Sequence, residues 1–243
     1  MDIRKNNAFN LGLYGLVTLG TMIGASTGWQ WLVYTCKPLM MVVLSSWFFF
    51  KSRRVGDRFT LLVQVGLFFS LIGDVALMFQ HLDEFNFLIG LGSFLLAQLC
   101  YSIAFIQNVM EAGPSRGWPV SLLITVGLAG YGLLFIDRLL PSVDETIAIP
   151  VAIYAVTICA MGVAAAFRLG RTYLRSFILV MVGALLFITS DSLLATDRFL
   201  APLSHADWSV ILSYALAQVL IVTGALTHVL DPEEIRRRAA LST

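Results

Sequence analysis

Three side chains in this 243-residue chain could carry acid–base chemistry where ionisable groups are costly: Lys37, Asp74 and Asp191, each embedded in a long apolar stretch. A charge at the centre of a bilayer-spanning helix costs about 2.5–3.5 kcal/mol on insertion scales, so each one demands a reason. One carboxyl group can give a proton while the other, held ionised by the ammonium, takes one up. The same three groups could instead form a structural ion pair with one carboxylate left over, or a proton relay in a carrier. Tyr154, Tyr214, Ser190 and Ser192 fall at similar depth, and Gln98 and Gln218 somewhat deeper. Around Asp74, the positions Gly66, Ser70 and Gly73 follow three- and four-residue spacing and make a small, polar helix face that can turn inward. The constellation predicts a polar cavity. For Tyr154, Tyr214, Gln98 and Gln218, hydrogen bonding between helices is the alternative to a role at a substrate.

The elements that must position these groups are bilayer-spanning helices. Hydrophobic residues make up 58% of the chain and charged residues 13%, with a mean hydropathy of +0.83, against about a quarter charged in soluble domains. The apolar residues lie in long blocks, which read as spans at 9–27, 30–50, 59–79, 85–108, 118–137, 146–167, 174–196 and 208–230. Short connections join them, so residues 1–243 are expected to form one all-α, polytopic membrane domain, since only helices or closed barrels satisfy every backbone group in lipid. The short basic start through Arg4 and Lys5 has no clear cleavage site after it and reads as the flank of a retained first helix.

Basic residues mark the cytoplasmic side. Arg4, Lys5, Lys51, Arg53, Arg54, Arg58, Arg116, Arg168, Arg171, Arg175 and Arg236 to Arg238 fall on one side, with only Arg138 and Arg198 opposite. Both termini are therefore expected in the cytoplasm. Lys37, Asp74 and Asp191 then share one layer about 7–11 Å below the outer boundary, from the helical rise per residue. The chain also shows marks of a parallel four-plus-four repeat: Gly73 to Leu77 echoes Ser190 to Leu194 and Lys37 falls opposite Tyr154, both 117 residues apart, while Leu96-Ala97-Gln98 echoes Leu216-Ala217-Gln218.

Other chemistries find little support. A net charge of +1 carries no nucleic-acid signal. Cys36, Cys100 and Cys159 lack metal or CxxC spacing and read as packing residues. His81, His205 and His228 read as solvated or interfacial, and no HExxH or comparable cluster proposes a metal site. Trp29, Trp31, Trp118 and Trp208 stand at helix starts as interfacial anchors, and Gly73, Gly90, Gly92 and Gly183 read as points of close helix approach. The two G-x-S-x-G strings, Gly24 to Gly28 and Gly113 to Gly117, fall at the end of an apolar span and in a connection, with no strand before either, so neither reads as a nucleophile elbow.

Over most of its length the chain resembles the YhhN-like lysoplasmalogenase family of multi-pass membrane proteins. The resemblance rests on Lys37-Pro38-Leu39, the run from Ser70 to Met78 through Gly73-Asp74, the stretch from Gly90 to Tyr101, Tyr154, the run from Gly183 to Ala195 through Ser190-Asp191, and Tyr214 with Ala217-Gln218. Gln98 stands where His is expected in many members. The resemblance implies hydrolysis of the vinyl ether bond of a lysoplasmalogen to a fatty aldehyde and glycerophosphoethanolamine or glycerophosphocholine, without a cofactor. It implies Asp74 and Asp191 as the catalytic pair, with Lys37, Gln98, Tyr101, Tyr154, Ser190, Tyr214 and Gln218 binding substrate. A single-chain lysophospholipid could enter sideways from the leaflet of a bacterial inner membrane. A proton-coupled carrier for a small molecule or lipid is the alternative.

Overall fold

The computed structural model describes residues 3–53 and 55–230. Among the described residues it is all-helical: α1 (Asn7–Thr27), α2 (Gln30–Ser52), α3 (Arg58–Met78), α4 (Glu84–Ala112), α5 (Trp118–Leu139), α6 (Glu145–Ala166), α7 (Leu174–Ala195) and α8 (Ala206–Val229). All eight are long and apolar enough to cross a membrane, and the protein is an integral, multi-pass membrane protein. Arg54 and the tail arginines Arg236, Arg237 and Arg238, used above for orientation, lie outside the described residues.

Local chemistry sets the helix ends. Asn6, Asp57 and Asp83 precede α1, α3 and α4, and their side chains accept bonds from amides of the first turn, as an N-cap should. Most ends lie close to those expected; α4 is the exception, continuing past residue 108 to Ala112, where Gly113 at φ 72° stops it. Its last buried residue, Asn108, joins a polar cluster at that end of the bundle. At the other end of the bundle, α7 runs on into a wide π-helical turn, Thr196–Leu200.

Apolar side chains cover the outside, since in lipid burial of hydrocarbon gives no advantage; helices are joined instead by small residues and hydrogen bonds. α3 packs closely on α4 and α7 on α8. A Cβ at Gly66 would stand 2.6 Å from the Tyr101 ring, and one at Gly183, 117 residues on, would stand 2.9 Å from the Ala217 carbonyl oxygen. Gly73 and Gly90 meet Phe94 and Leu77 in the same way, but Gly92 has nothing within 4 Å and is not a contact point. Trp29, Trp31, Trp118 and Trp208 are exposed at helix starts as expected.

The basic face is held by a buried polar cluster. Arg168 is fully buried; its Nε donates to Asn108 (3.0 Å), a terminal nitrogen donates to Ser176 (2.9 Å), and the guanidinium lies over the Phe105 ring. Ser176 donates to the Gly224 carbonyl, and Asn108 bonds His228. Burial pushes the Arg168 guanidinium down to about 9, so it stays charged at neutral pH. The C-termini of α4, α6 and α8 converge near this cation, and their partial negative charge suits it. His228 is therefore buried and packed edge-on against Phe59, contrary to the solvated position expected for it, because α8 carries it inside the bundle end.

Candidate active site

The intramembrane ionisable groups converge near the opposite face, made acidic by Asp83, Glu84, Asp144 and Glu145 at the starts of α4 and α6. Asp74, on the last turns of α3, is 2% exposed. The Lys37 ammonium on α2 stands 3.8 Å from one of its carboxylate oxygens, and the Tyr214 hydroxyl on α8 donates to the other at 2.8 Å. Pro38 removes the amide that would bond the Tyr34 carbonyl, so α2 is loosened just where Lys37 must lean inward. The Lys37–Asp74 contact is the one ion pair within 4.0 Å among the described residues. Asp191 has no such cation. Its Oδ2 accepts a short bond from the Tyr154 hydroxyl on α6 and one from the Gln98 amide on α4 at 3.3 Å, while Oδ1 has no hydrogen bond among the described residues.

Behind these contacts lies a second layer. Tyr101 donates to Gln218 (3.1 Å), and the Gln218 amide donates to Ser70 (3.0 Å) and to the Tyr214 oxygen (3.3 Å). Between this layer and the carboxylates Phe94, Phe187 and Tyr214 pack edge to face, with ring centroids 5.7–6.2 Å apart. This aromatic layer and the fully buried glutamine separate the site from the basic half of the bundle.

Two cavities meet at Asp191. The first, about 1000 Å³ including its open mouth, is the more polar of the two: Lys37, Asp74, Ser190, Asp191 and Tyr214 line it, with Tyr34, Gln80, Asp197 and Asp207 toward the acidic face. The second, about 760 Å³, lies between α4, α5, α6 and α7, and is walled mainly by apolar side chains such as Phe87, Leu91, Phe135 and Ile158. Leu77, Phe94, Asp191 and Leu194 line both. Asp191 thus stands on the partition, reachable from a polar cleft and from an apolar pocket.

Of the residues singled out from sequence, Lys37, Asp74, Tyr154, Ser190, Asp191 and Tyr214 line these cavities. The Ser190 hydroxyl is turned to the Val210 carbonyl on α8. Gln98, Tyr101 and Gln218 are fully buried behind the site and line neither cavity, so direct substrate contact is not what their geometry offers. They orient the groups in front: Gln98 through Asp191, and Tyr101 through Gln218 and Tyr214. Sequence reading missed Tyr131, whose hydroxyl donates to Ser192 at 2.6 Å across the apolar pocket, and the rim residue Arg198, weighed only as a loop charge. Neither carries a motif; only the folded position of α5 and of the turn after α7 distinguishes them.

Comparison with known proteins places the chain. Residues 32–225 match the YhhN family. A lysoplasmalogenase of Mycobacterium tuberculosis is 35% identical over 140 residues, 57% of this chain and 50% of that protein. Lysoplasmalogenase TMEM86B of Homo sapiens is 31% identical over 200 residues, 81% and 76% of the two chains, and lysoplasmalogenase TMEM86A of Bos taurus is 28% identical over 209 residues, 83% and 80%. The match spans only half the length of the mycobacterial relative. No solved structure matches.

Proposed function

The chain belongs to the YhhN family, and from that membership, from Asp191 at the junction of a polar cleft and an apolar pocket and from Asp74 on the wall of that cleft, we propose that it hydrolyses the vinyl ether bond of a lysoplasmalogen. The single observation that carries the reading is Asp191 on the partition. A single-chain alkenyl lipid lying across it would place its hydrocarbon among Phe135, Leu91 and Ile158, its glycerol and headgroup in the polar cleft, and the vinyl ether at the carboxylates.

The chemistry needs a proton and a water. In the first step a carboxylic acid gives its proton to the β-carbon of the enol ether; the double-bond electrons form the new C–H bond and the ether oxygen shares the resulting positive charge as an oxocarbenium ion. Water then adds to the α-carbon, loses a proton to a carboxylate, and leaves a hemiacetal. That hemiacetal collapses to a fatty aldehyde and the glycerol hydroxyl of glycerophosphoethanolamine or glycerophosphocholine. Asp191 suits the donor: it borders the apolar pocket, has no cation beside it, and its Oδ1 is open to hold a proton. Asp74 suits the ionised partner, since the Lys37 ammonium and the Tyr214 hydroxyl both favour negative charge there. Lys37, 3.8 Å from Asp74, serves here to hold that carboxylate ionised. The ionised Asp74 also stabilises the oxocarbenium ion by charge.

The aromatic and glutamine layer beneath the carboxylates favours a closed-bottomed reaction chamber over a carrier path. With the basic connections in the cytoplasm, the cleft opens toward the outer leaflet of a bacterial inner membrane, and both termini are cytoplasmic. The test is turnover of a 1-alkenyl lysophospholipid by the purified protein in D2O. One deuterium at C-2 of the released aldehyde is expected. Absence of aldehyde, with folded protein and the same lipid, would remove the proposal.

A further inference from the structure

We propose that Arg198 is the anchor for the phosphodiester of the lysophospholipid, and so sets which bond reaches Asp191; this rests on the hydrolase reading above. Arg198 occupies the wide turn after α7 at the rim of the apolar pocket. One terminal nitrogen donates to Gln80 at 2.8 Å, and Gln80 itself lines the polar cleft, so the guanidinium bridges the rims of both cavities. Its plane is supported by Phe87, with the ring centroid 3.8 Å away, and by Phe199 at 5.6 Å. No carboxylate lies within 4.0 Å of it, and its Nε and other terminal nitrogen carry no hydrogen bond among the described residues. Glu84 at the start of α4 is the acid in its field. A planar, supported guanidinium with donors to spare suits bidentate recognition of a phosphate.

The need for such a cation follows from the adjoining polar cleft. Asp74, Asp197 and Asp207 line it beside the proton-bearing Asp191, and the one cation there, Lys37, is offset in charge by Asp74 at 3.8 Å. An incoming phosphate meets repulsion unless a cation receives it. Distance also fits. Arg198 follows Asp191 by seven positions, about 10 Å along the axis, and a helical side chain leans back over the preceding turn. That brings the guanidinium partway down toward Asp191. The glycerol unit separates the ether oxygen from the phosphorus by about 6 Å when extended, from ordinary bond lengths and angles. A phosphate held by Arg198 therefore leaves the vinyl ether beside Asp191, with the hydrocarbon continuing into the pocket below.

The experiment compares wild type, Arg198→Gln and Arg198→Lys in two ways. Thermal stability is measured with a non-hydrolysable 1-alkyl lysophospholipid, with 1-alkylglycerol, and with inorganic phosphate. Turnover is measured with 1-alkenyl lysophospholipid against 1-alkenylglycerol. Wild type should be stabilised by the phospholipid beyond the alkylglycerol, Arg198→Gln should lose that difference, and Arg198→Lys should keep part of it. The kcat/KM preference for the phosphate-bearing substrate should fall about 10- to 100-fold in Arg198→Gln, mostly through KM, the range for a charged hydrogen bond lost. A phospholipid advantage that survives in Arg198→Gln would overturn the anchor, as would equal stabilisation of wild type by inorganic phosphate alone. Headgroup-dependent binding that vanishes in Arg198→Gln without any aldehyde release would support the anchor and sink the hydrolase instead.

Discussion

Replacing Lys37 by Met removes the one cation beside a carboxylate that is 2% exposed, and its effect can be worked from the geometry. At about 4 Å, unit charges attract by about 4 kcal/mol at an effective dielectric near 20. The Lys37 side chain is 22% exposed, so solvent weakens that figure. A coupling free energy of about 1–3 kcal/mol between the two positions is the expectation. The two single variants should not be equal. Lys37→Met strands Asp74 with only Tyr214 as partner, and a buried carboxylate left so costs about 3 kcal/mol or more. Asp74→Asn leaves an ammonium on the wall of an open cleft, where it can turn to water, at a cost nearer 1 kcal/mol. Lys37→Met with Asp74→Asn should then recover part of the loss. Thermal unfolding of all four proteins in one detergent measures it, at about 2–4 °C per kcal/mol for a chain of this size. Additive shifts, or a double variant no more stable than Lys37→Met, would show that the 3.8 Å pair is not an energetic unit and would refute the assignment of Asp74 as the held, ionised carboxylate.

Three further perturbations probe separate parts of the structure. Gly183→Ala sets a Cβ 2.9 Å from the Ala217 carbonyl oxygen, which cannot rotate away, so a loss of about 1–3 kcal/mol is expected in thermal unfolding; Gly12→Ala, with open space around it, should gain up to about 1 kcal/mol. Gly132→Leu enters the apolar pocket beside Cys159, so KM should rise for long-chain alkenyl substrates and much less for short ones in a chain-length series. Arg168→Met breaks the cluster on the basic face at a cost of about 2–4 kcal/mol, while KM and kcat measured well below the unfolding midpoint stay as in wild type.

The eight helices and the meeting of Lys37, Asp74 and Asp191 in one layer are legible in the sequence because lipid imposes them: a span needs a set length, and a charge inside it needs a partner. What each polar residue faces is less legible. Tyr101 and Gln218 look like their neighbours Tyr154 and Tyr214 by spacing, yet they sit one layer behind, since the close approach of α3 to α4 at Gly66 buries the Tyr101 ring. The apolar pocket leaves no pattern at all, because in a membrane helix every face is apolar and a hollow between four of them has no periodicity. Arg168 and Arg198 both read as loop charges by their neighbours in sequence. The fold buries the first and sets the second on the rim of the site.

The central claim is that both carboxylates are needed for hydrolysis in a chamber set within the membrane. Aldehyde release from a 1-alkenyl lysophospholipid by wild type, Asp74→Asn and Asp191→Asn, compared in one detergent at temperatures where each remains folded, tests it most directly. Release by wild type that falls by several orders of magnitude in both variants is the predicted result. Turnover near the wild-type rate in either folded variant would contradict it.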